Sequence, residues 1–166
     1  GGIVREKVLI QVEPDTWMPM YILIPPKVNS GKQSCFLALP GHQGAGKYSV
    51  AGCYEIPAVM DKIKFFNYDY GMQLARRGYV ALCPDCRGFG ERRDEKKRTP
   101  GSEADFLNSS CFNLAHMAEP MGETVAGMCT WDAMRLIDYV YERGEWKTDD
   151  LGAVGFSGGG MQVLWL

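Results

Sequence analysis

No stretch of this chain approaches the ~18 consecutive apolar residues that span a bilayer, and no basic segment followed by an apolar one opens it. A membrane partner is therefore not expected. The Gly1-Gly2 start, without methionine, suggests trimming and leaves an already removed leader open. Charge of one sign is lacking too. The formal net charge is −2, with both signs interspersed, so neither nucleic acid nor a polyanion is an expected partner. Histidine is scarce, with only His42 and His116. A second C-x-x-C is missing, so Cys83-Pro84-Asp85-Cys86 has nothing with which to complete a zinc set. A thioredoxin-type pair would open a helix, whereas this one closes an apolar run. The six cysteines (Cys35, Cys53, Cys83, Cys86, Cys111 and Cys129) are thus expected to be reduced and metal-free, which favours a cytoplasmic location. At 166 residues the chain is the size of one domain with a substantial core.

What is present reads as strands alternating with helices. Ile3 to Val12 alternates apolar and polar residues, Glu13-Pro14-Asp15 is a turn, and Met18 to Ile24 is a second strand stopped by Pro25-Pro26. The pair predicts an antiparallel hairpin. After a polar turn over Lys27 to Lys32, Cys35 to Leu39 is a short continuous apolar run, the mark of a strand buried on both faces. Ala51 to Asn67 has no clean period and reads as loop with at most a short helix. Tyr68 to Arg77 predicts a helix with Tyr68, Met72 and Ala75 inward and Gly78 after its end, followed by a strand at Tyr79 to Cys83. The mixed charges from Glu91 to Arg98 read as a solvated loop, with a grip on an anionic substrate as the sharper alternative. Residues 99 to 121 read as irregular, broken by Pro100-Gly101 and Glu119-Pro120. Glu123 to Arg143 is the clearest helix, with Val125, Met128, Ala133, Leu136, Ile137, Val140 and Tyr141 on one face and Gly144 at its end.

The chemistry concentrates at two glycine-rich turns. Leu151 to Val154 predicts a buried strand and Met161 onward the start of an apolar helix; between them stands Gly155-Phe156-Ser157-Gly158-Gly159, a G-x-S-x-G in its required context. Such an elbow lifts a serine hydroxyl off the end of the sheet and sets the next backbone N–H, here on Gly158, at a helix N-terminus where it can hold an oxyanion. Ser157 is the candidate nucleophile; a glycine-rich turn with an incidental serine is the plainer reading. The second turn is Pro40-Gly41-His42-Gln43-Gly44-Ala45-Gly46-Lys47. Tyr48 stands where a P-loop needs Ser or Thr for magnesium, so an oxyanion loop fits better, with His42 or Gln43 giving the second N–H.

This order resembles the α/β-hydrolase fold, with a mostly parallel sheet opened by an antiparallel hairpin. The details are similar to its acetyl xylan esterase and dienelactone-hydrolase-like branch. The matching segments are Leu39 to Gly44, Arg77 to Val80, Pro84 to Gly90, Trp131 to Tyr139 and the elbow. The resemblance implies a serine-dependent hydrolase of carboxylic esters, deacetylating carbohydrate-type esters, with Ser157 as nucleophile and Gly158 as oxyanion donor. It implies no metal and no organic cofactor, and makes Cys86 a neutral variant of a usually small residue. In this fold the triad acid and histidine follow the serine, yet only nine residues follow Ser157 here. Residues 1–166 are therefore expected to be the N-terminal part of a single hydrolase domain, truncated after the elbow and lacking the acid and histidine. His116 as a substitute base is the less favoured reading, since a base must reach the serine. A peptidase of the same fold and a non-catalytic binding or scaffold protein are the other readings. An exposed sheet edge would also favour self-association.

Overall fold

The strands form where the apolar runs lie, and each run sends alternate side chains to opposite faces of one sheet. The computed structural model describes residues 2–26, 31–43, 45–95, 105 and 107–166. Strand β1 (Val4–Glu13) pairs antiparallel with β2 (Thr16–Ile24) through a turn with Asp15 at φ 58°. Strands β3 (Ser34–Leu39), β4 (Val80–Pro84) and β5 (Lys147–Gly155) complete the sheet in the order β1-β2-β4-β3-β5. β3 runs parallel to β4 and β5, while β2 is antiparallel to both β1 and β4. So β2 alone runs against the other four, and the sheet is the mostly parallel one expected behind an opening hairpin.

Two apolar layers flank it. On one face Leu37, Leu39, Val80 and Leu82 pack with Ala133, Leu136 and Val140 of helix α5 (Val125–Arg143). On the other, Ala38, Ala81 and Cys83 meet Val50 of α1 (Lys47–Val50), Val59 and Ile63 of α2 (Pro57–Phe66) and Ala75 of α3 (Tyr70–Arg76). Helix α5 begins at Thr124, whose Oγ1 accepts from the Gly127 N–H at 3.0 Å, and stops where Gly144 turns left-handed. These are ordinary caps.

Several expectations need correction. Residues 57–66, within the stretch read as loop with at most a short helix, form the ten-residue α2; Pro57 at its first turn, Val59, Ile63 and Phe66 at helical spacing, and the left-handed Asn67 were the available signals. Residues 111–118, read as irregular, form α4 (Cys111–Ala118), with Cys111, Leu114, Ala115 and Ala118 turned inward at i, i+3, i+4 and i+7. Tyr141 is exposed rather than inward, because one residue beyond Val140 the helix has turned by about 100°. The start of the charge run is not solvated. Arg92 is nearly buried against Asp132, and Glu91 pairs with Lys47 and Lys7. The rest of that run from residue 96, the Pro100-Gly101 breaker and residues 27–30 of the polar turn lie outside the described residues. Among the described residues no helix is long and apolar enough to cross a membrane.

Candidate active site

Ser157 stands between the end of β5 and the start of α6 (Gly158–Trp165), exposed, at φ 53° and ψ −118°. A non-glycine residue at positive φ is strained, and here the turn is held by the close packing around it. A β-carbon on Gly155 would stand 2.3 Å from the Gly159 carbonyl, and one on Gly159 would stand 2.0 Å from the Leu39 oxygen. The two outer glycines of the motif are therefore sites of backbone-on-backbone contact, which is what lets the chain reverse so sharply.

The loop after β3 reaches the same place. His42 lays its imidazole on the Cα of Gly158: a β-carbon there would lie 3.0 Å from His42 Nδ1. Gly41 packs against the Phe156 carbonyl, and its neighbour Tyr68 donates its hydroxyl to the His42 carbonyl at 2.8 Å. Burial pushes the Tyr68 phenol up to about 12, so it stays a donor at neutral pH. In a planar trans peptide the C=O and N–H point opposite ways, so fixing the His42 carbonyl also fixes the Gln43 N–H. Gln43 itself is exposed at φ 64°, and Gly44 lies outside the described residues. The structure thus brings Ser157, Gly158 and His42 together, with Gln43 next along the loop. His116 is exposed on α4 with its ring edge-on to Phe112.

Behind the loop lies an ion cluster that sequence reasoning missed. Lys47, fully buried, places Nζ 2.5 Å from Asp85 and 2.6 Å from Glu91, while its own N–H and that of Glu91 donate to the Asp85 carboxylate. Burial pushes the Asp85 carboxyl above its ordinary value, against the pull of Lys47. For Glu91 burial acts in the same sense, but hydrogen bonds and charge from Lys47 and Lys7 outweigh it and hold the carboxyl below its usual range. The signal in the sequence was a lysine directly after the glycine-rich turn, facing Asp85 after the next apolar strand. A second cluster joins the loop after β4 to α5: Asp132 receives Arg87 at 2.8 Å and Arg92 at 2.6 Å, and Trp131 donates to the Val12 carbonyl. Arg87, Arg92 and Asp132 therefore tie the loop after β4 to α5.

Cys83 and Cys86 face different clusters, the first packed with Val50 and Ala75, the second with Phe89 and Cys129. The neighbouring Cys129 thiol and burial hold the Cys86 thiol well above its ordinary range, while the proximity of Cys86 lowers Cys129.

A serine carried on the sharp turn from a parallel strand into the next helix, on a sheet of this order, is the arrangement of the α/β-hydrolase class. Over residues 2–166 the chain matches the Abhydrolase family, and it belongs to that family. It is 25% identical over 160 residues to YtaP of Bacillus subtilis (strain 168), a hydrolase by description, covering 96% of this chain and 47% of that protein. Its fold is similar to that of a Bacteroides fragilis NCTC 9343 protein described as an acetyl xylan esterase, with TM-score 0.76 and 19% identity, over 98% of this chain and 41% of the other. It is also similar to P91, a dienelactone hydrolase-like promiscuous phosphotriesterase from metagenomic libraries, with TM-score 0.58 and 16% identity over 99% and 53%. The chain spans about half the length of these relatives.

Proposed function

We propose that this chain carries the nucleophile and oxyanion hole of a serine-dependent carboxylic ester hydrolase. The observation that carries the reading is the strained Ser157, with the His42 loop seated on the residue that follows it. Ser157 Oγ attacks the ester carbonyl carbon. The carbonyl oxygen takes up the negative charge and receives the N–H of Gly158 and an N–H of the His42–Gln43 loop. A histidine takes the serine proton and returns it to the departing alcohol, leaving an acyl-serine; water, activated by the same histidine, then releases the acid and restores Ser157. That histidine and its carboxylate partner would come from the part of the relatives' length that this chain does not span. Acetylated carbohydrate is the substrate class that the acetyl xylan esterase resemblance by itself suggests, a description that two structural neighbours carry; the shape of the pocket beside the serine, described below, favours longer acyl groups.

The test is Ser157→Ala in the intact protein, assayed with a p-nitrophenyl ester and with a fluorophosphonate that labels activated serines. Hydrolysis should fall on the order of 10⁴-fold or more, and labelling should vanish. Wild-type protein that neither hydrolyses nor becomes labelled would instead favour a binding or scaffold role.

A further inference from the structure

An apolar pocket of about 310 Å³ opens beside Gly158. Its floor is one face of α6, where Gly158, Met161, Gln162 and Trp165 stand at i, i+3, i+4 and i+7. At about 1.5 Å of rise per residue the pocket follows that face for roughly 10 Å, starting at the residue next to Ser157. Phe112 of α4, Val125 and Cys129 of α5, and Phe89 and His42 from the loops wall it in. None of the described residues lining it is Asp, Glu, Lys or Arg. The amide oxygen of Gln162 is already engaged by the Cys86 thiol at 3.4 Å.

We infer that this is the acyl pocket, and that the enzyme prefers esters of apolar acids well beyond acetic acid: straight-chain acids of medium length or arylalkanoic acids. The inference rests on Ser157 being the nucleophile. In this proposal an ester whose carbonyl oxygen sits at the Gly158 N–H extends its acyl part along the α6 face that Gly158 begins, and the acyl part stays bonded to Ser157 through both chemical steps. A methyl group would leave most of the space empty, since an apolar cavity of ~150 Å³ already holds a benzene ring. With carbon–carbon bonds of about 1.5 Å, a zigzag chain of roughly eight carbons matches the length of the α6 face. A sugar ring is a poor occupant, because its hydroxyls would lose water and find few partners on these walls.

Two measurements test this in the intact protein. In the first, kcat/KM is compared for p-nitrophenyl acetate, butyrate, hexanoate and octanoate. It should rise roughly three- to fourfold per added methylene, as burial of each methylene predicts. Ala115, which lines the pocket from α4, offers a filling variant: Ala115→Phe should cut the octanoate-to-acetate ratio at least tenfold. In the second, the Ser157→Ala variant is alkylated with N-ethylmaleimide in the presence of octanoate or acetate. Cys111 lines the pocket and is partly exposed, so octanoate should slow its modification and acetate should not. Ser157-dependent hydrolysis with a flat or acetate-peaked profile overturns the acyl pocket and leaves the hydrolase reading standing. A gain confined to lengthening the alcohol side overturns the acyl assignment as well. Protection of Cys111 without hydrolysis of any ester overturns the hydrolase reading while the pocket's apolar preference stands, and the absence of both overturns both.

Discussion

The imidazole of His42 rests on the Cα of Gly158, close enough that a β-carbon at 158 would stand 3.0 Å from Nδ1. His42 is exposed and can swing aside, so Gly158→Ala should fold normally, with a stability change within about 1 kcal/mol. Catalysis should suffer more, because the shift moves one proposed oxyanion donor against the other; a loss of roughly 10- to 100-fold in kcat/KM is expected. Combining His42→Ala with Gly158→Ala removes the crowding and should recover much of the loss. Thermal melts and ester kinetics on the three variants measure both effects. A double variant as impaired as the single one would show that the imidazole is not the source of the defect.

Lys47 is the largest stability lever near the site. Its ammonium is fully buried and is the cation facing both Asp85 and Glu91, so Lys47→Met leaves a buried carboxylate without its counter-charge. Breaking a buried pair in this way costs about 3–5 kcal/mol. Adding Asp85→Leu should return only part of that, because the Asp85 carboxylate also accepts the backbone N–H groups of Lys47 and Glu91. Urea unfolding of the single and double variants gives the comparison. Full recovery in the double variant would mean those two backbone bonds contribute little.

Glu91 and Asp85 should pull the acid stability in opposite directions. The Glu91 carboxyl is held below its ordinary 4.5, so its contribution is present above that pH and is lost as pH falls through the lower folded value. Asp85 is raised above its ordinary 3.8, so the stability tied to its protonated form is present below that value and is lost as pH rises through the folded one. Glu91→Gln should therefore destabilise most near neutral pH, and the gap to wild type should narrow below about pH 4.5. Denaturation curves collected from pH 7 to about pH 3 would reveal it; a gap that widens on acidification contradicts the assignment.

The fold was legible where periodicity and punctuation agree. Cys35 to Leu39 and Val80 to Cys83 read as buried strands because nearly every residue in them is shielded, whereas Tyr79, expected to open the second, is exposed and precedes β4; Gly144 marked the end of α5 because it turns left-handed there. The serine turn was legible because its glycines are forced by contacts between main chains. Helix α4 escaped because Phe112 and Met117, large apolar residues that are mostly exposed, stand off the Leu114–Ala118 face and blur its period. The Lys47–Asp85–Glu91 cluster escaped for a different reason: 38 residues separate the first two, and only the parallel pairing of β3 with β4 brings their following loops together. The pocket beside Gly158 needed three helices in register, which no local pattern encodes.

The last expectation concerns the 166-residue chain by itself. If the triad acid and histidine lie outside it, as proposed, Ser157 has no base and ester turnover should be close to background, a deficit on the order of 10⁴ to 10⁶ relative to a complete triad. Its surface should also associate. Among the described residues β5 pairs with β3 alone, which leaves its other edge with open N–H and C=O groups. Next to it α6 exposes Leu164 at 85%, with Met161 and Trp165 about half exposed. An open strand edge beside an apolar helix face is a template for a second copy, so size-exclusion chromatography should show oligomers or aggregates that grow with concentration. Placing a charge on that helix face, as in Leu164→Lys, should shift the distribution toward monomer without restoring turnover. A chain that is monomeric at high concentration and hydrolyses esters through Ser157 at enzyme-like rates would mean that the base lies within these residues and that the β5 edge is already protected.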